Sequence, residues 1–181
     1  MNNRKCLEGL DREQCLDLLE IYAKNWLAMD GVWFQSIESK EGMDSAMYHD
    51  GEAWRRFTVI EAKRIKAFLH LPEQPGLEGL AKALPYRFYG CLNEFDISFK
   101  DRNTLIFKNI ACRVQTARRR KGMELHPCRP VGLIEHEGFA RTIDPRIRCR
   151  CLSCYPEITD PEVCCSWEFS IPEDQNHGET E

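Results

Sequence analysis

An α+β fold, with N-terminal helices packed on an antiparallel sheet of about four strands, is predicted by three observations. Apolar side chains recur at helical spacing through roughly the first half of the chain. The character changes to period-two alternation at Phe95. A second alternating pair of segments, "RIRCRC" and "VCCSWEFSI", follows near the end.

The first helix is expected over residues 11–29. Asp11 is its N-cap and Gln14 completes a capping box. Cys15, Leu18, Leu19, Tyr22, Ala23, Trp26 and Leu27 follow the helical period on one face; the pattern continues through Asp30, Trp33 and Ile37 to Gly42. A second helix is expected from Asp50, with Trp54, Phe57, Thr58, Ile65, Phe68 and Leu69 on its buried side and Pro72 and Pro75 as its stop. A third runs from Leu77 to Phe88, and Pro85 kinks it or cuts it in two.

"FDISFK", the turn "DRN" and "TLIFKNIACRVQ" read as a hairpin. Pro130 opens a short helix that Asp144-Pro145 ends. Two final strands follow. Ile147, Cys149 and Cys151 share one face of the first; Val163, Cys165, Trp167, Phe169 and Ile171 share one face of the second. An antiparallel hairpin around "PEITDP" sets Cys151 opposite Cys165 and Cys149 opposite Trp167. Residues 1–172 are therefore read as one α+β domain, and 173–181 as an acidic flexible tail.

The chain has 181 residues, 43% hydrophobic and 30% charged, enough for a real core. No run approaches the ~20 apolar residues of a membrane span. The start lacks the apolar core of a signal peptide, so a cytoplasmic location is expected. The net charge of −4 argues against a general nucleic-acid binder. Charge is uneven: residues 113–150 hold ten Lys/Arg against four Asp/Glu, and residues 157–181 hold eight Asp/Glu and no Lys/Arg.

Ten cysteines in a cytosolic chain are expected to be reduced thiols. Clustered there, they point to metal or thiol chemistry, or to core packing, since free cysteine is among the most buried residues. Cys151 and Cys154 form a CxxC pair, the commonest spacing of two thiolates on zinc. Cys112, Cys128 and Cys165 complete the candidate zinc ligands, with Cys149 nearby. A strand turns Cys151 and Cys154 to opposite faces unless the chain bends between them. Cys6, Cys15 and Cys91 lie in helical segments and are expected to be inert.

Three further candidates carry chemistry. Asp30 and Glu61 sit on apolar stripes, Asp30 beside Trp33, and a buried carboxylate must be paired, hydrogen-bonded or protonated. They are expected to be buried and within reach of each other or of a shared cation; the alternatives are a Glu61–Arg64 pair and an Asp30 cap. Arginines of "ARRRKG", with Arg141, Arg148 and Arg150, are candidates to clamp an anionic ligand, or else form a solvated face paired with the acidic segment. Cys128 stands two residues after His126 and at the start of the Pro130 helix, with Glu135 on that helix. These three are the candidate nucleophile, base and acid, because a helix N-terminus and an imidazole both activate a thiol.

The segments "NWLAMDGVWFQ", "WRRFTVIEAKRI", "CRVQTARRRKG", "GFARTIDPRIRCRCLSC" and "CSWEFS" resemble a family of uncharacterised prokaryotic cytosolic proteins, over nearly the whole chain. More distantly, the chain resembles L-2-amino-thiazoline-4-carboxylic acid hydrolase-like and 4-vinyl reductase-like domains. Cys112, Cys128 and Cys165 occupy matching places, although the final strand reads "CSWEF" and "TDPEVCC" replaces the usual approach to the last cysteine. That resemblance implies N-terminal helices on an antiparallel sheet.

The leading expectation is a cytosolic module that binds a small-molecule ligand, with a cysteine-ligated zinc as its candidate cofactor. The rival is a thiol- or metal-dependent hydrolase of a small cyclic or amide substrate, and the third a structural interaction protein. No membrane or nucleic-acid partner is expected, and a homodimer is admitted.

Overall fold

A computed structural model describes residues 4–172. The fold is α+β: five α-helices, mostly N-terminal, and a four-stranded antiparallel sheet. The chain divides into two compact units, one up to Ala46 and one from Met47.

The first unit is dominated by helix α1, Arg12–Glu41. Its capping box is present: the Asp11 carboxylate accepts from the Gln14 N–H at 2.8 Å, and the Asp11 N–H donates to the Gln14 side chain at 3.0 Å. The apolar stripe of this helix is largely exposed. Of its seven positions only Ala23 is buried, while Leu19 and Tyr22 are 58% and 59% exposed. Periodicity marks an apolar stripe but does not say what covers it.

Residues 43–46, the first turn of the next helix, complete this unit, and the second unit holds the rest. Helix α2, Met43–Phe68, starts seven residues before the expected Asp50, because Gly42 at φ +89° turns the chain and the helix resumes at once. Helix α3, Gly76–Ala83, is followed by two 3-10 turns, Leu84–Tyr86 and Phe88–Cys91, so Pro85 does cut the third helix. Strands β1, Glu94–Asp101, and β2, Thr104–Ala111, form the expected hairpin. The chain then enters helix α4, Arg113–Arg120, where a strand continuation was expected. Helix α5, Arg129–Ile143, starts at the expected proline. Strands β3, Arg148–Cys154, and β4, Cys165–Ser170, complete the sheet in the order β1-β2-β4-β3.

The β3–β4 register differs from the expectation. Cys149 faces Phe169, Cys151 faces Trp167 and Cys154 faces Cys165. The pairing is offset by two residues from the expected one, and a register shift lies between Cys151 and Ser153. The extra residue of a bulge reverses side-chain parity, so Cys149, Cys151, Cys154 and Cys165 all share the Trp167 face. The bend that a CxxC pair needed is therefore present.

Helix α5 covers this face. Trp167, Phe169 and Leu105 of the sheet are buried with Phe139, Ala140 and Ile143 of α5. Two glycines set the spacing. A Cβ on Gly132 would lie 2.8 Å from the Trp167 ring, and one on Gly138 would lie 2.7 Å from the Thr58 methyl of α2. Gly132→Ala is expected to destabilise the chain by about 1–2 kcal/mol in chemical denaturation. Overpacking at a rigid buried ring costs about 1–3 kcal/mol and outweighs the ~1 kcal/mol gain in helix propensity.

Candidate functional site

Helices α2 and α5 are joined by a ladder of contacts. Near its start, Gly51 approaches Val131 and Ile134. The Thr58 hydroxyl donates to the Glu135 carbonyl at 2.8 Å. Lys66 donates from Nζ to the Ile143 carbonyl. Between the last two lies Arg87, 4% exposed, with Nε 2.9 Å from Glu61 Oε2 and Nη1 2.7 Å from Glu135 Oε1. The Phe88 N–H donates to Glu61 Oε1 at 3.1 Å. Nη2 of Arg87 has no acceptor among the described residues; the guanidinium lies 4.7 Å from the Phe139 ring and 5.7 Å from Trp54. Ring quadrupoles thus supply part of what hydrogen bonding omits.

Burial alone would lower the Arg87 pKa, but Glu135 and Glu61 outweigh it and the guanidinium stays charged. Burial pushes Glu135 up to about 7 against the pull of Arg87, with Glu61 and Asp50 adding repulsion. Burial, and then Arg87, hold His136 well below its usual range, so its imidazole is neutral.

One end of this ladder carries the thiol site. Cys128 is the N-cap of α5. The Cys128 N–H donates to the His126 carbonyl at 2.8 Å, an i→i+2 turn centred on Pro127 whose fixed φ suits it. That turn brings His126 Nδ1 to 3.2 Å from Cys128 Sγ. On the other side of the ring, His126 Nε2 lies 3.3 Å from Asp50 Oδ2 of α2. Helix α4 holds the turn. Gln115 donates from Nε2 to the His126 carbonyl at 2.8 Å and to Cys128 Sγ at 3.2 Å, while its Oε1 accepts from the His126 N–H at 3.1 Å. Arg118 donates to the Glu124 carbonyl of the same loop.

Of the other sheet thiols, Cys154 is the one shown against Cys128. Cys154, 2% exposed, hydrogen-bonds to Cys128 and to Cys165, and the bond to Cys128 is the main cause of its raised pKa. The bond to Cys154, then burial, raise Cys165 well above the ordinary thiol. Burial pushes Cys112 up to about 11, Cys149 up to about 12, and Cys151 upward. These five are protonated at neutral pH. Among the described residues, no three His, Cys, Asp or Glu side chains form a group that could hold a metal ion. Hydrogen-bonded pairs along a sheet do not point their sulfurs at one centre, which a tetrahedral site requires. Cys6, Cys15 and Cys91 are exposed free thiols.

A cleft of about 310 Å³ opens beside Gln115, lined also by Ile110, Arg119, Tyr155, Ile158 and Glu162. Its size suits a small molecule.

The other candidates lie elsewhere. Trp33 is 64% exposed and Asp30 half-buried, both in the first unit; Glu61 is buried in the second and pairs with Arg87 rather than the exposed Arg64. Arg141 is exposed, 3.7 Å from Glu137 one turn earlier. Arg150 forms a 2.9 Å pair with Glu168 on the outer sheet face, so arginine does meet the acidic segment there. Glu135 belongs to the Arg87 network. Asp50 and Gln115 are the site residues the sequence reading did not select. Asp50 was read as a helix start, and only its position one residue before the close-packed Gly51 hints at a role.

The raised Glu135 has a consequence for stability. Its folded pKa of about 7 lies above the ordinary carboxyl value of 4.5, so the folded state binds more protons between those values. This contribution is full below pH ~4.5 and is lost as pH rises through ~7, with a slope of at most ~1.4 kcal/mol per pH unit. Denaturation across that window is expected to show Glu135→Gln with a flatter pH dependence than the native chain. Arg87→Met, which strands two buried carboxylates, is expected to cost about 3–5 kcal/mol at neutral pH and less in acid.

No helix among the described residues is long and apolar enough to cross a membrane. No curated protein and no solved structure matches the chain. A family model described as "Family of unknown function (DUF6125)" matches residues 8–171, nearly the whole length. By that match, carried through helices, sheet and thiol site alike, the chain belongs to DUF6125, a family of unknown function.

Proposed function

We propose that this chain is a thiol-dependent hydrolase of a small cyclic or amide substrate, acting in the cytoplasm. The observation that carries the reading is the line Asp50–His126–Cys128, with a 3.3 Å and a 3.2 Å step. Nucleophile, base and orienting carboxylate in hydrogen-bond sequence are what thiol acyl transfer requires, whatever the fold. The distant resemblance to L-2-amino-thiazoline-4-carboxylic acid hydrolase-like domains, in which Cys128 matches one of the placed cysteines, supports the same class.

In this mechanism His126 Nδ1 takes the Cys128 proton as Sγ attacks the carbonyl or ring carbon. Asp50 is a positioning residue: it accepts from Nε2–H, fixes the tautomer and stabilises the imidazolium. The Gln115 amide and the Cys154 thiol lie ready to meet the negative sulfur. The imidazolium then returns its proton to the departing nitrogen. Water, deprotonated by the freed imidazole, cleaves the thioester and restores the thiol. Substrate enters by the cleft beside Gln115, which is mostly apolar with Arg119 and Glu162 at its wall. Glu135 stands outside this line and maintains Arg87.

p-Nitrophenyl acetate serves as an acylation probe, with the acetylated residue located by peptide mass spectrometry because exposed Cys6, Cys15 and Cys91 also react. Rapid acetylation at Cys128 is expected, unaffected by chelator. His126→Ala should slow it by about 10²–10⁴-fold, and Asp50→Asn by about tenfold or more. If Cys128 reacts no faster than Cys91, or if Asp50→Asn changes nothing, the hydrolase reading fails; binding of a small ligand without turnover would then be the function to pursue.

A further inference from the structure

Helix α1 carries a line of exposed apolar side chains that the thiol site does not use. Cys15, Leu19, Tyr22, Trp26, Met29 and Trp33 recur at intervals of four, three, four, three and four residues. That is an uninterrupted seven-residue repeat, the spacing at which two helices wrap around each other with knobs in holes. All six are exposed: Leu19 58%, Tyr22 59%, Trp26 46%, Met29 61% and Trp33 64%, with Cys15 also at the surface. Leu16 and Val32, 47% and 65% exposed, widen the stripe on its flanks. Two tryptophans on one exposed helix line are not a scatter of single surface residues, and a contiguous patch of this kind marks an interaction surface.

We propose that α1 is the dimer interface of this protein, its stripe packing on the same stripe of a second copy of the chain. The area supports a copy rather than a passing contact. At roughly 100 Å² for each half-exposed large side chain, the stripe offers about 600–700 Å² per copy, close to the ~800 Å² each partner contributes to a stable complex. A twofold axis makes one stripe complementary to itself, and the stretch from Cys15 to Trp33 gives about 27 Å of seam. Large aromatics at the centre are the side chains that dominate interface energetics. Charge excludes a lipid surface as the occupant. In the first half of α1 acidic Glu13, Asp17 and Glu20 outnumber basic Arg12 and Lys24, and Lys24 is paired with Glu20, where a membrane-surface helix carries an excess of Lys and Arg. The inference is independent of the hydrolase reading.

Sedimentation equilibrium of the full chain between ~1 and ~100 µM is expected to return twice the chain mass at the upper end, where a seam of this area should hold. Leu19→Lys/Met29→Lys should weaken association at least ~100-fold, as loss of two central apolar anchors does. Ile60→Lys, at an exposed apolar site of α2, should leave association unchanged. Far-UV circular dichroism verifies that the helices persist; if the lysine pair lowers helicity, Leu19→Ala/Met29→Ala replaces it, since alanine favours helix. A monomer at the highest concentration overturns the proposal. So does a dimer that the seam variants leave intact.

Discussion

Arg87 is the constraint on which the second unit turns. A guanidinium at 4% exposure between Glu61 of α2 and Glu135 of α5 ties the two helices in one register. Removing Arg87 leaves two carboxylates buried and uncompensated, so the arrangement tolerates little displacement. Gly51, Thr58 and Gly138 make the same register possible by letting the helices approach closely. Asp50 and the N-terminus of α5 are then brought to the same end of the helix pair. The distance from Asp50 to His126 is a product of that clamp.

The thiol site illustrates how one cysteine is set apart from its neighbours. Cys112, Cys149, Cys151, Cys154 and Cys165 face burial or other thiols, and each is raised into a range where it keeps its proton. A protonated thiol is a poor nucleophile and packs as a small apolar group. Cys128 alone among these has an imidazole at 3.2 Å. The surrounding thiols thereby form a protonated lining, and Cys154 adds a hydrogen bond to the Cys128 sulfur.

Helix α4 shows why part of the site could not be found by pattern. Its buried residues are Gln115 and Arg118, three apart on one face, and each reaches a backbone carbonyl of the 121–128 loop. A helix whose inward face is polar has no apolar periodicity to detect, and its arginines read naturally as a charged surface. Helix α1 is the opposite case: its apolar period is strong, yet its residues are exposed, because a period shows a shared face and not what covers it.

The sequence by itself determined the element types: the capping box of α1, the break at Pro85, the β1–β2 hairpin, the Pro130 helix and the common face of Cys149, Cys151 and Cys165. Each follows from local propensity and side-chain parity, which neighbours along the chain decide. It also marked Cys128 and His126 as a pair worth testing. Only tertiary structure decided that the bulge after Cys151 turns Cys154 to the same face, that Glu61 meets Arg87 rather than Arg64, and that Asp50 meets His126. The physical reason is one of range. Hydrogen bonds and ion pairs act over about 3 Å, so a partner 76 positions away in the chain is chosen by the packing of α2 on α5, which no local pattern records.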